Sequence, residues 1–236
     1  MEKIAEGIQI ITGIGTAAVF AVDSTNGFIL IDTGIFKKTH LLIAQLEKNN
    51  YPLRRLQTIL LTHCHCDHIG GVTELVRYSG ARVAAHVSDI PYILQEQVVT
   101  GPYRPMMIQE QKVMKQFGCN IQQVDIALRT GEIIDVLGGL QVIHVPGHTP
   151  GSIALYQPER QIMFFGDVIR NHPRRGLQIG VPEDYNVDTP QTRRDAHQLV
   201  TYPIELALFS HGDPILGNAT RILREAVSDP LLTQER

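Results

Sequence analysis

The stretch Thr62-His63-Cys64-His65-Cys66-Asp67-His68-Ile69-Gly70-Gly71 places three imidazoles and a carboxylate within six positions. Histidine is the commonest side-chain metal ligand. The preceding run Thr58-Ile59-Leu60-Leu61 is short, aliphatic and bounded by polar residues, the pattern of a buried strand. Side chains two apart on extended backbone point the same way, so His63 and His65 can reach one ion. A turn after them aims Asp67 and His68 at a second point. Gly70 and Gly71 let the next segment pack closely behind the loop.

Three more residues stand just past apolar runs, where a rigid scaffold holds loops. His148 lies in Val145-Pro146-Gly147-His148-Thr149-Pro150-Gly151-Ser152, Asp167 follows Phe164-Phe165-Gly166, and His211 precedes Gly212-Asp213. Each alone also fits a hydrogen-bonded structural residue. Together with the cluster they make two ligand sets. His63, His65 and His148 serve a first metal, and Asp67, His68 and His211 a second, with Asp167 bridging. Nitrogen and carboxylate ligands without thiolate suit zinc, iron or manganese, in an open rather than a closed structural site. Two cations at about 3.5–4 Å repel, which a shared carboxylate and a shared hydroxide offset, and metal binding lowers the pKa of water to about 7. The hydroxide is then the expected nucleophile.

These residues must be positioned by a core, and 43% hydrophobic content supplies one in a chain of 236 residues. Ile8 to Thr12 and Ala17 to Asp23 read as strands. Asn26-Gly27 is a hairpin signal, and Phe28-Ile29-Leu30-Ile31 follows as a buried strand ending at Asp32-Thr33-Gly34. Lys37 to Asn49 has helical spacing at Leu42, Ile43 and Leu46 and stops at Tyr51-Pro52. Beyond the cluster, helices are expected over Gly71 to Ser79 and Asp89 to Val98, with a strand from Arg82 to Ala85 between them. Residues 100–118 carry two prolines, Met106-Met107 and a helix from Met107 to Phe117. This segment reads either as an insertion walling a substrate pocket or as a plain surface connection.

Strands return at Gln122 to Leu128, Glu132 to Val136, Leu140 to Val145, Ser152 to Tyr156 and Gln161 to Phe165. A helix over Pro190 to Thr201, a strand over Glu205 to Phe209, a helix over Pro214 to Val227 and a frayed tail complete the chain. Phe28-Ile29-Leu30-Ile31-Asp32 is echoed by Ile162-Met163-Phe164-Phe165-Gly166-Asp167, and Leu60-Leu61-Thr62-His63 by Leu208-Phe209-Ser210-His211. The expectation is one α+β domain over 1–236, with two pseudo-symmetric halves, 1–120 and 121–236. Two mixed sheets would pack face to face with helices outside.

H-x-H-x-D-H at 63–68, followed in order by His148, Asp167 and His211, resembles the metallo-β-lactamase superfamily, as does Asp32 in its D-T-G. The resemblance covers essentially the whole chain. It implies a four-layer αββα sandwich with a dinuclear site at one edge of the two sheets. It also implies that Asp32 orients a ligand His, although Asp32 equally fits a turn residue before Gly34. Asp67 would bind metal and handle a proton. The implied activity is hydrolysis of a small ester, thioester or lactone by a metal-bridging hydroxide, with zinc ahead of iron or manganese.

Within the superfamily, the bridging Asp167 argues against lactam hydrolysis. The stretches 62–71 and 147–152 look like glyoxalase II, a thioester hydrolase, but with 25 residues after His211 its glutathione-binding helical domain, and so a glutathione thioester, is not expected. Acyl-homoserine lactonases place a Tyr shortly after the bridging Asp, where this chain has Val168-Ile169-Arg170. No basic insertion suggests the RNA-gripping arm of the nucleases, and a flavodiiron reductase, which replaces a ligand His by Glu, is not expected. Two alternatives stand: a mononuclear iron enzyme like the persulfide dioxygenases, and a non-catalytic, metal-stabilised binding protein.

Arg170 and His172 lie on a loop after Asp167, where they could bind a carboxylate or phosphate of the substrate or simply be solvated. Met107 could wall the pocket or fill the core. Cys64 and Cys66 should point away from the metals, and Cys119 reads as apolar filler. His86 and His144 read as structural, His40 and His197 as solvated. The net charge of −3 gives no footprint for nucleic acid or an anionic membrane. No apolar run reaches the about 18 residues of a membrane span. The amino-terminus lacks signal-peptide features and three cysteines make no disulfide framework, so a cytoplasmic protein is expected. Its partner would be a small-molecule substrate, with a second copy in a homodimer equally compatible.

Overall fold

A computed structural model describes residues 1–180 and 182–228. The tail expected beyond Val227 falls, from residue 229 onward, outside them. The first sheet takes its strands in chain order: β1 (Glu2–Ala5), β2 (Ile8–Ile11), β3 (Val19–Ser24), β4 (Gly27–Ile31), β5 (Leu56–Leu60), β6 (Arg82–His86) and β7 (Ile126–Leu128). It is antiparallel from β1 to β4, with a Thr25-Asn26 turn closing the β3–β4 hairpin one residue before the expected Asn26-Gly27, and parallel from β4 to β7. Its crossovers carry α1 (Thr39–Lys48), α2 (Cys66–Ile69), α3 (Val72–Ser79), α4 (Ile90–Ile93) and α5 (Arg104–Gln116).

The second sheet is built from β8 (Ile133–Ile134), β9 (Leu140–His144), β10 (Ile153–Gln157) and β11 (Ile162–Phe164). After a hairpin, β12 (Ile169–His172) and β13 (Gly176–Ile179), and the helix α6 (Thr189–Leu199), it adds β14 (Leu206–Leu208) and β15 (Ile215–Leu216). Its order is β15-β14-β11-β10-β9-β8, and α7 (Ala219–Ser228) closes the described chain.

The layering follows from two-residue alternation along each strand. Ile29 and Ile31 of β4 join Phe20, Leu60, Val142, Leu155 and Phe164 in a core shared by both sheets. Phe28 and Leu30 of the same strand face the other way, onto Leu42 and Leu46 of α1 and Leu75 of α3. In the second sheet Met163 and Phe165 pack against Ala196 and Leu199 of α6 and Leu223 of α7. Each sheet is therefore apolar on both faces, which leaves only helices for the outside. The result is the αββα sandwich. Phe20 and Phe164 meet edge to face across its middle, ring centres 5.2 Å apart, a contact worth about 0.5–1.5 kcal/mol beyond the area it buries. No described helix is long and apolar enough to cross a membrane.

Some element boundaries differ from the sequence reading. β7 pairs with β6, so the first sheet runs past residue 120 to Leu128. The helix expected over Asp89 to Val98 is one turn, ended by Gln95 at φ +60°. The helix expected from Pro214 begins at Ala219, because Ile215–Leu216 pairs with β14 and Asn218 turns the chain at φ +53°. The loop read after Asp167 is the β12–β13 hairpin.

Candidate metal centre

Every residue of the two ligand sets follows the carboxyl end of a strand. The 63–68 cluster follows β5, His148 follows β9, Asp167 follows β11 and His211 follows β14; Asp32 follows β4. β4 runs parallel to β5, and β11 to β14, so each Asp-bearing strand end lies beside a His-bearing one. A backbone bond from Ile153 N to Thr62 O, 2.9 Å, joins the sheets at this edge. Gly70 and Gly71 act as expected: a Cβ on either would strike backbone atoms of Phe36 or Thr33.

Ligand atoms of His63, His65 and His148 lie within 4.8 Å of one another, as do those of Asp67, His68 and His211. A third such group, His63, His68 and Asp167, overlaps both. Asp167 stands between the sets. Its Oδ1 is 3.4 Å from His68 Nε2, and its Oδ2 is 3.6 Å from His148 Nε2 and 3.0 Å from His211 Nε2.

The other nitrogens of four of these imidazoles are spoken for. Asp32 Oδ2 accepts from His68 Nδ1 at 2.8 Å and from the Thr62 hydroxyl at 2.8 Å. That hydroxyl is 3.0 Å from His63 Nδ1, so it accepts the ring N–H. Asp32 also accepts Thr62 N through Oδ1, 2.8 Å, and holds φ +62°, an uncommon conformation for a residue with a side chain. Asn186 Oδ1 faces His148 Nδ1 at 2.8 Å, and its Nδ2 donates to Gly180 O and Thr189 Oγ1, which fixes the amide's orientation. Thr16 donates to Asp67 Oδ2 at 2.6 Å, and its carbonyl faces His211 Nδ1 at 3.1 Å. Asn186 and Thr16 were missed in the sequence, where neither shows a motif.

The Nε2 atoms of His63, His65, His68, His148 and His211, with Oδ1 of Asp167, are buried and have no hydrogen-bond partner outside this cluster. Leaving one buried polar atom unsatisfied costs about 1–3 kcal/mol, and six converging on one place fit a cation site. Electrostatics agree. Burial, with the imidazoles of His68 and His65, holds His63 well below its usual range; burial and His148 do the same for His65. Burial also brings His148 down to about 4. These rings are neutral, the form that donates to a metal. Burial opposes charge on His68, but the carboxylates of Asp167, Asp32 and Asp67 outweigh it and push its pKa up to about 10. Burial likewise opposes charge on Asp167, and His211, His68 and Arg170 outweigh it, holding the carboxyl well below its usual range.

The residues expected to touch substrate separate. Arg170 is at the site, its Nη2 2.8 Å from Asp167 Oδ2. His172 is exposed at the end of β12, where its Nδ1 accepts the backbone N–H groups of Arg174 and Arg175 in the β12–β13 turn. Met107 is buried in the core under the first sheet, its Sδ accepting Val99 N. The 100–118 segment reaches the centre instead through Tyr103, whose ring is 4.0 Å from that of His65 and stacks on Tyr185. Cys64 and Cys66 face away from the ligand atoms, toward Asp89 and Glu110, and burial pushes both thiols up. His86 stacks on His144, ring centres 3.9 Å apart, away from the centre.

The family model of the metallo-beta-lactamase superfamily matches residues 12–211. The chain belongs to that superfamily. It is 25% identical over 210 residues to the "probable metallo-hydrolase YflN" of Bacillus subtilis, covering 83% of this chain and 79% of that protein. A hydroxyacylglutathione hydrolase of Pseudomonas aeruginosa is 35% identical over 121 residues, half of this chain but only 35% of that enzyme. The acyl-coenzyme A thioesterase MBLAC2 of Bos taurus is 29% identical over 65% of the chain and 58% of that protein. In fold, a metallo-beta-lactamase family protein of Thermus thermophilus matches with TM-score 0.71 at 20% identity, over 96% of this chain and 80% of that one.

Proposed function

We propose that this superfamily member is a dinuclear metal-dependent hydrolase of a small ester, thioester or lactone. The observation that carries the reading is the arrangement about Asp167: two sets of converging ligand atoms, five of them buried imidazole nitrogens, on either side of one carboxylate. His63, His65 and His148 would hold one cation, Asp67, His68 and His211 the other, and Asp167 both. Nitrogen and carboxylate donors suit zinc first, iron or manganese second. Bound there, the cations supply a water of lowered pKa and polarise a substrate carbonyl.

The chain's own residues do the rest. Asp32, Thr62, Asn186 and Thr16 fix the ring nitrogens that turn inward. Asp67, held by Thr16, is the carboxylate placed to take and return a proton. Tyr103 and Tyr185 wall the His65 side. Arg170 brings a cation to the Asp167 side, a partner for a carboxylate or phosphate on the substrate. Hydrolysis of thioesters is supported by the names of the relatives, a hydrolase of hydroxyacylglutathione and an acyl-coenzyme A thioesterase. A single-iron enzyme would leave Asp67, His68 and His211 without a task. Free thiols at Cys64, Cys66 and Cys119 suit a reducing cytoplasm.

The test is hydrolysis across a panel of thioesters, lactones, esters, phosphodiesters and lactams. Turnover confined to the first three classes supports the reading. Turnover confined to phosphodiesters or lactams, or none with any metal, overturns it.

A further inference from the structure

Asp89 begins α4 but gives that helix no side-chain cap. Its fully buried carboxyl reaches two other segments instead. Oδ1 accepts Gly151 N at 2.6 Å, and Oδ2 accepts the Thr149 hydroxyl at 2.7 Å. The thiol and backbone N–H of Cys64 lie beside it and favour its charged form. Ser152 Oγ completes the cluster, accepting Thr149 N at 2.9 Å and lying 2.8 Å from the Thr149 hydroxyl. Contact is close enough that a Cβ on Gly151 would strike Asp89 itself.

Cys64 lies between His63 and His65, and Thr149 to Gly151 directly follow His148. The carboxyl therefore joins the two segments that carry all three members of one ligand set. The other set is held elsewhere, by Asp32 at His68 and by Thr16 at Asp67 and His211. A side chain needed only to fill this space would be apolar, since burying a carboxyl is costly unless donors surround it. Here the donors come from the two loops whose rings meet at the centre, His63 and His65 against His148. Their spacing is what the carboxyl fixes.

We propose that Asp89 is a positioning residue that sets His148 against His63 and His65 and so governs the affinity of that one metal position. The inference rests on the two-metal reading above. Asp89→Asn keeps the size but turns an amide N–H₂ toward groups that themselves donate. Removing such outer partners typically lowers metal affinity about 10–100-fold.

The experiment is stepwise titration of the metal-free protein with Co²⁺, following visible absorbance, beside thermal melts of the same metal-free samples. In Asp89→Asn one binding step should weaken about 10–100-fold with a changed spectrum, while the other step and the metal-free Tm stay near wild type. Thr149→Val should weaken the same step by less, and Thr149→Ser should restore it; these two decide the matter if Asp89→Asn does not fold. Both steps intact, both weakened alike, or a loss matched by a fall in the metal-free Tm would overturn the proposal. If the wild type itself binds fewer than two ions, the two-metal reading falls and takes this inference with it. If the wild type binds two and the variants bind them equally well, this inference alone falls.

Discussion

Oδ2 of Asp32 lies 2.8 Å from Nδ1 of His68 and 2.8 Å from the Thr62 hydroxyl that faces His63. One carboxylate thus orients imidazoles at both ends of the turn that carries the motif. Asp32→Asn puts an N–H₂ or an amide oxygen where a charged acceptor stood. Metal affinity should fall about 10–100-fold, measured by competition with a chelator. Unchanged affinity would mean that Asp32 is only a turn residue.

Gly147 offers a steric test of the His148 loop. A Cβ there would strike the backbone of Thr192 in the first turn of α6. Gly147→Ala should force loop and helix apart, with a cost of about 1–3 kcal/mol in urea unfolding, and should reduce metal uptake. Wild-type stability would show that the loop yields without strain.

The His86–His144 stack gives a pH dependence separate from the centre. Burial, then the neighbouring His144, brings His86 down from 6.5 to about 4. The unfolded chain binds the proton first, so stability should be lost as pH falls from about 6.5 toward 4. In His86→Phe, which keeps a ring for the stack, melting temperatures of the metal-free protein should fall less steeply across that window. An identical pH profile would contradict the assignment.

Removal of metal should destabilise the fold, because ions bound only by the folded state raise its stability by about 2.7 kcal/mol at 100 times Kd. For a chain of this size that is a fall in Tm of about 5–10 °C on chelation. No fall would argue that the converging ligands do not bind an ion tightly.

Much of this was legible in the sequence because histidines and aspartates directly after apolar strands are unusual and can be read one by one. His63, His65, Asp67, His68, His148, Asp167 and His211 all converge where strand ends meet. What holds them was harder to read. Asn186 meets His148 across 38 residues and Thr16 meets Asp67 across 51, contacts that only the folded path creates. Asp32 was visible because it ends a buried strand. Met107, read as pocket wall or core filler, lies in the core, and Tyr103, one turn earlier, is the residue against His65. The short strands β1 and β15 and the hairpin β12–β13 exist through pairing with neighbours, not through a strong local pattern.

The most direct test is the number of metal ions per chain in active protein and in Asp167→Ala, measured on samples assayed for hydrolysis. The expected result is two divalent ions per active chain, with both metal and hydrolysis lost when Asp167 is removed. One iron per chain with oxygen consumption, or an Asp167→Ala protein that hydrolyses substrate without metal, would contradict it.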